Sequence, residues 1–404
     1  MSLLAAANQP DFVAGNQLVL LNNGDQYFPA LLDAIQAAQQ EIRLETYIFA
    51  DDGTGRAVAS ALAYAAQRGV DVYLLVDGFG ARDFVGTLMP ALIADGVNVM
   101  IYRQEIVQFR PLFRLRRHRL RRLHRKLAVI DGSVAFIGGI NIIADNNTPH
   151  QTPPRYDYAV RIRGPLLAAI HQASCHLWEL MLWARLKHRH PPSQRLLPDT
   201  RPAGNQCAAF LIRDNIRHRR DIEQAYLAAI DGAQQQIMVA SAYFLPGKHF
   251  RHALINAAKR GVNVTILLQG KVEYRLLHYA TQALCGSLFS AGIHIHEYRK
   301  SFMHAKVAVI DDEWATVGSS NIDPFSLLLA RESNVVIKDR LFTSELRASL
   351  QQALADGSAE LLSSDWQHRA WYERLLRWLS YGLVRLMIGM AGYGASDSNE
   401  HSAR

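Results

Sequence analysis

Hydrophobic positions follow two different spacings along this chain. Residues 27–40 and 56–68 place apolar side chains every three or four positions, which predicts amphipathic helices, and Gly69 is a typical helix-ending residue. Residues 42–49 and 70–76 are short runs rich in β-branched and other apolar residues, which predicts strands. The same succession returns later in the chain, with helices predicted at 221–235 and 248–260 and strands at 237–244 and 262–268. Strands that alternate with helices predict an α/β fold.

The chain also contains an internal repeat. The segment His124-Arg-Lys126-Leu-Ala-Val-Ile-Asp131 returns as His304-Ala-Lys306-Val-Ala-Val-Ile-Asp311, 180 positions later. At the same offset, Gly138 and Asn141 return as Gly318 and Asn321. This period is far too long for a solenoid, so the repeat predicts two copies of one domain.

The repeat suggests a division of the chain into three parts. We expect a first domain at 1–195, which carries the motif at 124–141, and a second domain at 202–345, which carries the motif at 304–321. The Pro-containing, basic stretch around 188–201 is typical of a linker. We expect the third part, 346–404, to be an amphipathic helical segment with a tail. Its residues mix Arg with Trp, Tyr and Leu, which suits either a helix in a bilayer interface or a helix packed on the domains.

Composition and charge narrow the class of protein. With 49% hydrophobic and 20% charged residues, the 404-residue chain is typical of folded globular proteins. Its net charge is +8, and nine Lys and Arg with no acid lie between 110 and 126, so subtracting them leaves −1. Basic character is therefore concentrated directly before the first motif. Such a patch predicts a site for phosphate groups of a lipid or a nucleic acid, although a solvated basic loop is the alternative.

The cysteines, the apolar runs and the scattered histidines restrict the class of protein further. If the protein meets a membrane, we expect it to lie on the surface. Cys175, Cys207 and Cys285 are scattered and odd in number, which argues against a disulfide framework. We see neither a secretory signal at the start nor a run of about 18 apolar residues that could span a bilayer. The histidines outside the motifs are dispersed, so the sequence supplies no cluster of metal ligands.

The repeated motif has the residue types that phosphoryl chemistry needs. On a strand, residues two positions apart point to the same side, so His124 and Lys126 project together, as do His304 and Lys306. An imidazole can attack phosphorus or move a proton, and a nearby ammonium neutralises phosphate oxygens in the transition state.

Small and polar residues that follow each motif are candidates for binding the same phosphate. Side-chain amides can donate hydrogen bonds to its oxygens, and a Gly- and Ser-rich segment lets the backbone approach closely. The predicted phosphate-binding residues are Asn141, Asn321, Gly139 and Ser319.

Two histidines are needed because the nucleophile and the acid that protonates the leaving group lie on opposite sides of phosphorus. We therefore expect His124 and His304 to face each other across one phosphodiester. Asp131 and Asp311 complete the two candidate catalytic motifs. Both end a strand at a turn, where Asp commonly bonds to nearby backbone, so we expect these two to have a structural role.

The paired HxKxxxxD motifs resemble those of the phospholipase D superfamily. This resemblance implies two tandem α/β/α sandwich domains, related by pseudo-twofold symmetry, that share one active site. It also implies a phosphohistidine on His124 and an acid/base role for His304. No metal ion or organic cofactor is then needed, because Lys and Asn side chains hold the phosphate charge. In that superfamily an acid after each motif orients a histidine, and Asp157 and Glu332 stand at those positions.

Within the superfamily, the chain looks most like the bacterial cardiolipin synthases. The segments that carry this likeness are Glu45-Thr-Tyr47-Ile-Phe49, Val76-Asp77-Gly78-Phe-Gly80, Gly138-Gly139-Ile-Asn141-Ile and Gly164-Pro165. The lack of two N-terminal transmembrane helices is similar to the shorter, B-type form. The resemblance implies transfer of a phosphatidyl group from phosphatidylglycerol or another phospholipid, such as phosphatidylethanolamine, to a second phosphatidylglycerol. It also implies a peripheral protein at the cytoplasmic face of the bacterial inner membrane, with no nucleic-acid partner.

Three alternatives remain open from the residues alone. A phospholipase D-type hydrolase differs only in letting water attack the intermediate. A nuclease of the same superfamily would use the Arg-rich run to hold a nucleic-acid backbone. A non-enzymatic anion-binding protein would leave both histidines without a chemical role.

Overall fold

The computed structural model describes residues 10–103, 122–148, 151–184, 196–214, 217–271, 275–362 and 371–388. Strands and helices alternate in the first half as the spacing predicts. Its elements are β1 (Val13–Asn22), α1 (Asn23–Ala37), β2 (Glu41–Thr46), α2 (Gly53–Gln67), β3 (Asp71–Asp77), α3 (Arg82–Gly86), α4 (Met89–Ala94), β4 (Asn98–Tyr102), β5 (Leu127–Ile130), β6 (Val134–Gly138), β7 (Arg155–Tyr156), β8 (Tyr158–Arg163) and α5 (Leu167–Ala184).

The second half repeats this succession and adds a C-terminal helix. Its elements are β9 (Gln206–Arg213), α6 (Asp221–Gly232), β10 (Gln236–Ser241), α7 (Lys248–Lys259), β11 (Asn263–Gln269), α8 (Arg275–Phe289), β12 (His294–Tyr298), β13 (Phe302–Met303), β14 (Lys306–Ile310), β15 (Trp314–Gly318), α9 (Pro324–Leu328), β16 (Glu332–Lys338), α10 (Arg340–Gly357), β17 (Ser358–Glu360) and α11 (Trp371–Ile388). None of the helices in the described ranges has the length and apolarity needed to cross a bilayer.

The two halves share one sheet with a mirrored strand order. The order is β17-β12-β11-β10-β14-β15-β16-β9-β1-β8-β6-β5-β2-β3-β4, and the halves meet where β1 pairs antiparallel with β9. In each half three strands are parallel, and the strand inside the histidine motif, β5 or β14, runs antiparallel to them. The fold class is therefore the predicted one, a mixed α/β protein built from two similar halves.

Alternating residues along the strands of the sheet pack into two different cores. In β5, Ala128 and Ile130 face the core formed with α1 and α2, while Leu127 and Val129 face the opposite side. There they join a core shared by both halves, which also receives residues of α5 and α10. The shared core holds the inner faces of the halves together, and this packing positions one half's motif against the other's.

One predicted domain boundary does not match the structure. Residue 345 lies inside α10, whose apolar residues Phe342, Leu346 and Leu350 continue along one face of the helix without a break. Like α5 in the first half, α10 follows the strand that pairs with the motif hairpin, and β17 after it pairs with β12 of the same half. The second half therefore continues through α10, and the separate C-terminal helix begins later. Residues 188–195 of the predicted linker lie outside the described part of the chain.

Candidate active site

Short backbone pairings between the halves bring the two motifs together. The segment before His304 pairs with the segment before Asp157, because β13 lies parallel to β7 and the His304 amide donates to the Tyr156 carbonyl at 2.8 Å. On the other side, the His124 amide donates to the Arg331 carbonyl at 2.9 Å. Each histidine is thus placed beside the acid that follows the other half's motif.

The side chains complete these crossed pairs. Nδ1 of His124 lies 2.9 and 3.0 Å from the two carboxylate oxygens of Glu332. Nδ1 of His304 lies 2.6 Å from Oδ2 of Asp157. Both carboxylates are buried, so neither is hydrated by bulk solvent. A carboxylate on the far nitrogen favours the tautomer with hydrogen on Nδ1, which leaves Nε2 of each ring available on the cavity side.

Burial changes the protonation of these groups. It lowers the pKa of both imidazoles below the usual value, and the neighbouring Lys126 and Lys306 ammonium groups act in the same direction. Burial also raises the pKa of Asp157 to about 6, against the opposing effect of Lys306. At neutral pH the His304 pair is therefore a carboxylate with a neutral imidazole. Such an imidazole can attack phosphorus or accept a proton.

The motif lysines are buried beside the histidines. Nζ of Lys126 donates to the His124 carbonyl at 2.7 Å, and Nζ of Lys306 donates in the same way to the His304 carbonyl. Burial lowers the pKa of Lys126 to about 7, with Glu332 opposing and Lys306 adding to the effect. Two ammonium groups in one buried site are a strong attraction for an anion.

Both predicted asparagines line the cavity. Oδ1 of Asn141 accepts a hydrogen bond of 3.0 Å from the Ile48 amide, which fixes the side chain and leaves its NH₂ group as the donor. Asn321 has a long 3.5 Å contact with Ser326, and its Oδ1 is buried without a hydrogen-bond partner in the described ranges. Hydrogen bonding therefore fixes the Asn141 side chain more firmly than that of Asn321. Both side chains can reach a ligand in the cavity.

Gly139 and Ser319 lie behind the histidines and do not line the cavity. The Ser319 hydroxyl donates to Glu332, and a Cβ at Gly139 would clash with the Asp157 carboxylate. This corrects our prediction that they bind phosphate. The end of each hairpin faces the carboxylate that holds a histidine, because that carboxylate stands between the hairpin and the cavity.

The motif aspartates are also remote from the cavity. Asp131 accepts from the backbone amides of residues 39–41 at 2.8–2.9 Å, and Asp311 accepts from those of residues 234–236 at 2.8–3.0 Å. Each lies five positions beyond its lysine along the strand, about 16 Å at the rise of a strand. We therefore remove both from the candidate catalytic set. They tie the end of one strand to the start of its neighbour, as the turn position suggested.

The histidines open onto one cavity of about 820 Å³ between the halves. Both halves contribute to its wall, and so do Leu276 and Leu277 of α8 and Val384 and Met387 of α11. This volume accommodates far more than a phosphate group. Within the described ranges, no group of three or more His, Cys, Asp or Glu side chains is placed to hold a metal ion.

Two arginines of the cavity wall were not among the predicted site residues. Arg122 lies two positions before His124, and Arg155 lies two positions before Asp157, with its guanidinium 4.9 Å from the centre of the Phe302 ring. Among the described residues of the basic run, Arg122 lines the cavity. Arg125 is instead buried near Glu45, and residues 110–121 of the run lie outside the described part of the chain.

Two residues that hold the motifs in place were also missed. Oδ2 of Asp77 accepts from the Leu123 amide, and Oε1 of Gln269 accepts from the Met303 amide, both at 2.9 Å. Each therefore fixes the residue that precedes a histidine. The internal repeat could have pointed to both residues, since Asp77-Gly78 and Gln269-Gly270 stand at the ends of equivalent strands.

Two histidine motifs on mirrored α/β halves, facing one cavity, define the chain as a phospholipase D-like protein. The family described as cardiolipin synthase, PLD-like domain, matches residues 31–177 and 226–354. Cardiolipin synthase B of Salmonella typhi is 38% identical over 382 residues, which cover 94% of this chain and 90% of the relative. The protein of the same name from Escherichia coli K12 is 38% identical over 381 residues, with the same coverage.

A solved structure agrees at the level of the fold. Phosphatidylserine synthase of Haemophilus influenzae superposes with a TM-score of 0.65 at 14% identity, over 94% of this chain and 95% of that one. The chain belongs to the cardiolipin synthase family of phospholipase D-like proteins.

Proposed function

We propose that this protein is a phosphatidyltransferase that makes cardiolipin from two molecules of phosphatidylglycerol through a phosphohistidine. The observation that carries the proposal is the crossed pair of histidines, each held by a carboxylate of the other half and both open to one cavity. The names of the relatives in the family supply the substrate class.

In the first step, Nε2 of His124 attacks the phosphorus of the donor lipid. The bond from phosphorus to the headgroup oxygen breaks, and His304 in its protonated form gives a proton to that oxygen, so glycerol leaves. The negative phosphodiester in the cavity favours the protonated form of His304, which the empty site disfavours. Lys126 and Lys306 balance the charge on the phosphate oxygens while the bond changes.

In the second step, the terminal hydroxyl of another phosphatidylglycerol gives its proton to His304 and attacks the same phosphorus. The phosphorus–nitrogen bond breaks, and cardiolipin leaves with His124 neutral again. The geometry gives both histidines the same tautomer, so the choice of His124 as nucleophile rests on the family resemblance.

The cavity wall also suggests how the lipid phosphates are held. Asn141 and Asn321 are placed to donate amide hydrogen bonds to the transferred phosphate, and Arg155 offers a cation beside the His304 half of the site. We assign to Arg155 the phosphate of the acceptor lipid, since a second anionic phosphodiester must enter the same cavity during transfer.

Mass spectrometry of lipid products tests the proposal. Purified protein incubated with phosphatidylglycerol vesicles should give cardiolipin and glycerol in equal amounts. Phosphatidic acid as the main product would instead establish a hydrolase, and no turnover of any lipid, with cleavage of DNA or RNA, would establish a nuclease. Adding phosphatidylethanolamine to the vesicles shows whether it also serves as donor.

Substitution of each histidine tests the two roles. We expect His124→Asn and His304→Asn each to lower cardiolipin formation at least 1,000-fold, a loss typical when a nucleophile or its acid is removed. A donor with p-nitrophenol as leaving group needs no proton, so His304→Asn should still release one equivalent of p-nitrophenol, whereas His124→Asn should not. The reverse result would exchange the two roles. His294→Asn, which alters an exposed His–Glu pair, is the matched control and should leave turnover unchanged.

On the same resemblance, we propose that the protein works as a peripheral protein on the cytoplasmic face of the bacterial inner membrane. Protease treatment of spheroplasts tests the face. Cleavage of the protein without lysis would contradict it.

A further inference from the structure

The C-terminal helix α11 carries an unusual distribution of apolar side chains. Its buried face includes Arg377, Ser380 and Val384. Its outer face exposes six large apolar side chains, with Trp378 62% exposed and Leu379 61% exposed. The six are Leu375, Leu376, Trp378, Leu379, Leu383 and Leu386. At 100° per residue they fall within an arc of about 160°, so they form one continuous face.

This helix is part of the candidate active site. It packs along α8, and Val384 belongs to a small apolar cluster with Ala280 and Leu284 of α8 and with Leu245. Val384 and Met387 also line the cavity that holds the two histidines. One side of α11 is therefore cavity wall, and the opposite side is exposed apolar surface.

Two residues of the cavity wall are also exposed apolar side chains. Leu276 of α8 and Phe79 of the first half both line the cavity and are substantially exposed themselves. Soluble proteins seldom leave large apolar patches uncovered unless the patch is an interaction site. Here the helix that carries the apolar patch also lines the cavity that a substrate has to enter.

We infer that the outer face of α11 inserts into the interface of a phospholipid bilayer and places the mouth of the cavity on the membrane surface. The choice of a bilayer rests on the proposed function, since a lipid whose headgroup reaches His124 and His304 needs an apolar path for its acyl chains. Leu276, Met387 and the α11 face provide that path from the bilayer to the cavity.

Two further observations favour a bilayer over a second copy of the chain. Arg385 is exposed at the flank of the apolar face, where its guanidinium suits anionic headgroups. A partner chain seated on this face would stand beside the cavity mouth and obstruct the entry of two-chain lipids.

The test is a double substitution on the outer face with a matched control. Leu379→Asp with Leu386→Asp changes two exposed residues that do not line the cavity. Leu197→Asp with Leu341→Asp makes the same chemical change at two other exposed leucines, 86% and 82% exposed. Because all four side chains are in solvent, we expect all variants to unfold at the same temperature as the parent protein.

Flotation with vesicles of phosphatidylglycerol and phosphatidylcholine measures binding without turnover. We expect the α11 variant to bind at least tenfold more weakly than the parent, and the control variant to bind equally well. Cardiolipin formation on vesicles should fall by a similar factor in the α11 variant. Its turnover of dihexanoyl phosphatidylglycerol below the micelle concentration should stay within twofold of the parent, since a dissolved lipid needs no docking.

Equal vesicle binding by the α11 variant and the parent would overturn the inference. So would sedimentation that shows a dimer for the parent and a monomer for the α11 variant, because the face would then join two copies. If the parent binds vesicles through this face but makes no cardiolipin, the docking inference stands and the proposed function fails.

Discussion

At the scale of residues, equivalent positions of the two halves carry different side chains around the same chemical unit. Ser319 supports Glu332 by a hydrogen bond, whereas Gly139 makes room for Asp157. The shorter side chain, Asp157, therefore packs against glycine backbone, and the longer one, Glu332, contacts a serine hydroxyl. Both arrangements hold a carboxylate on the Nδ1 side of a histidine, so the two half-sites achieve one geometry with different residues.

Lys126 predicts how activity depends on pH. Its pKa of about 7 in the free protein means that the ammonium is lost as the pH rises above 7. We expect kcat/KM, which follows the free enzyme, to fall up to tenfold per pH unit above that value. In Lys126→Arg the guanidinium stays charged, so this alkaline limb should move above pH 9, at a lower overall rate because the wider group displaces its neighbours.

The acid side of the profile provides an internal reference. Protonation of Asp157, with a pKa of about 6, removes the acceptor for His304, so activity should fall below pH 6 in both proteins. Lys338→Arg, at an exposed position, is the control and should keep the parent profile. An alkaline limb that stays in place in Lys126→Arg would assign it to another group.

At the scale of elements, the motif aspartates connect strands that carry the site. The Asp311 carboxylate binds three consecutive backbone amides before β10, and its own backbone has φ of 47°, in the left-handed region. Asp131 repeats this arrangement before β2, with φ of 49°. An aspartate suits both demands, since it tolerates that conformation and accepts several hydrogen bonds.

Asp311→Ala should therefore lower stability rather than chemistry. Losing the acceptor of three amides and placing Ala at positive φ should reduce the free energy of unfolding by about 2–4 kcal/mol. Thermal unfolding measures this loss, and kcat per folded molecule should change less than threefold. Asp312→Ala, which removes an exposed carboxylate paired with Arg347, should cost less than about 1 kcal/mol. A large loss of kcat in Asp311→Ala with an unchanged unfolding midpoint would restore Asp311 to the catalytic set.

At the scale of the whole molecule, the site exists only where the halves meet. The first half contributes His124 and Asp157, and the second contributes His304 and Glu332, so each half holds one histidine and the acid for the other. The shared core and the β1–β9 pairing hold these parts in register.

Two fragments, 1–200 and 201–404, should consequently be inactive alone and active when they are produced together. Cardiolipin formation by the purified pair is the measurement. The same pair with His124→Asn in the first fragment is the control, and it should remain inactive although it assembles. Turnover by either fragment alone would contradict a site divided between the halves.

The sequence allowed the repeat, the α/β class and the side-by-side placement of each His–Lys pair to be predicted, because all three follow from local spacing. The crossed pairing could not be predicted in this way. His124 and Glu332 are 208 positions apart, and their contact depends on how the halves pack. Gly139 and Ser319 were misassigned for a related reason, since a Gly- and Ser-rich turn beside a histidine is typical of phosphate binding whatever stands in front of it.

The crossed pairs also bear on the ancestry of the chain. A single-copy ancestor with one histidine motif and one following acid would have had a complete site only as a pair of identical chains. Duplication and fusion of its gene would have joined the two copies in one chain. Equivalent positions of the two halves could then carry different residues. Arg125 lies near Glu45 in one half, where the other has Ala305 and Ala240, a divergence that two identical chains could not accumulate.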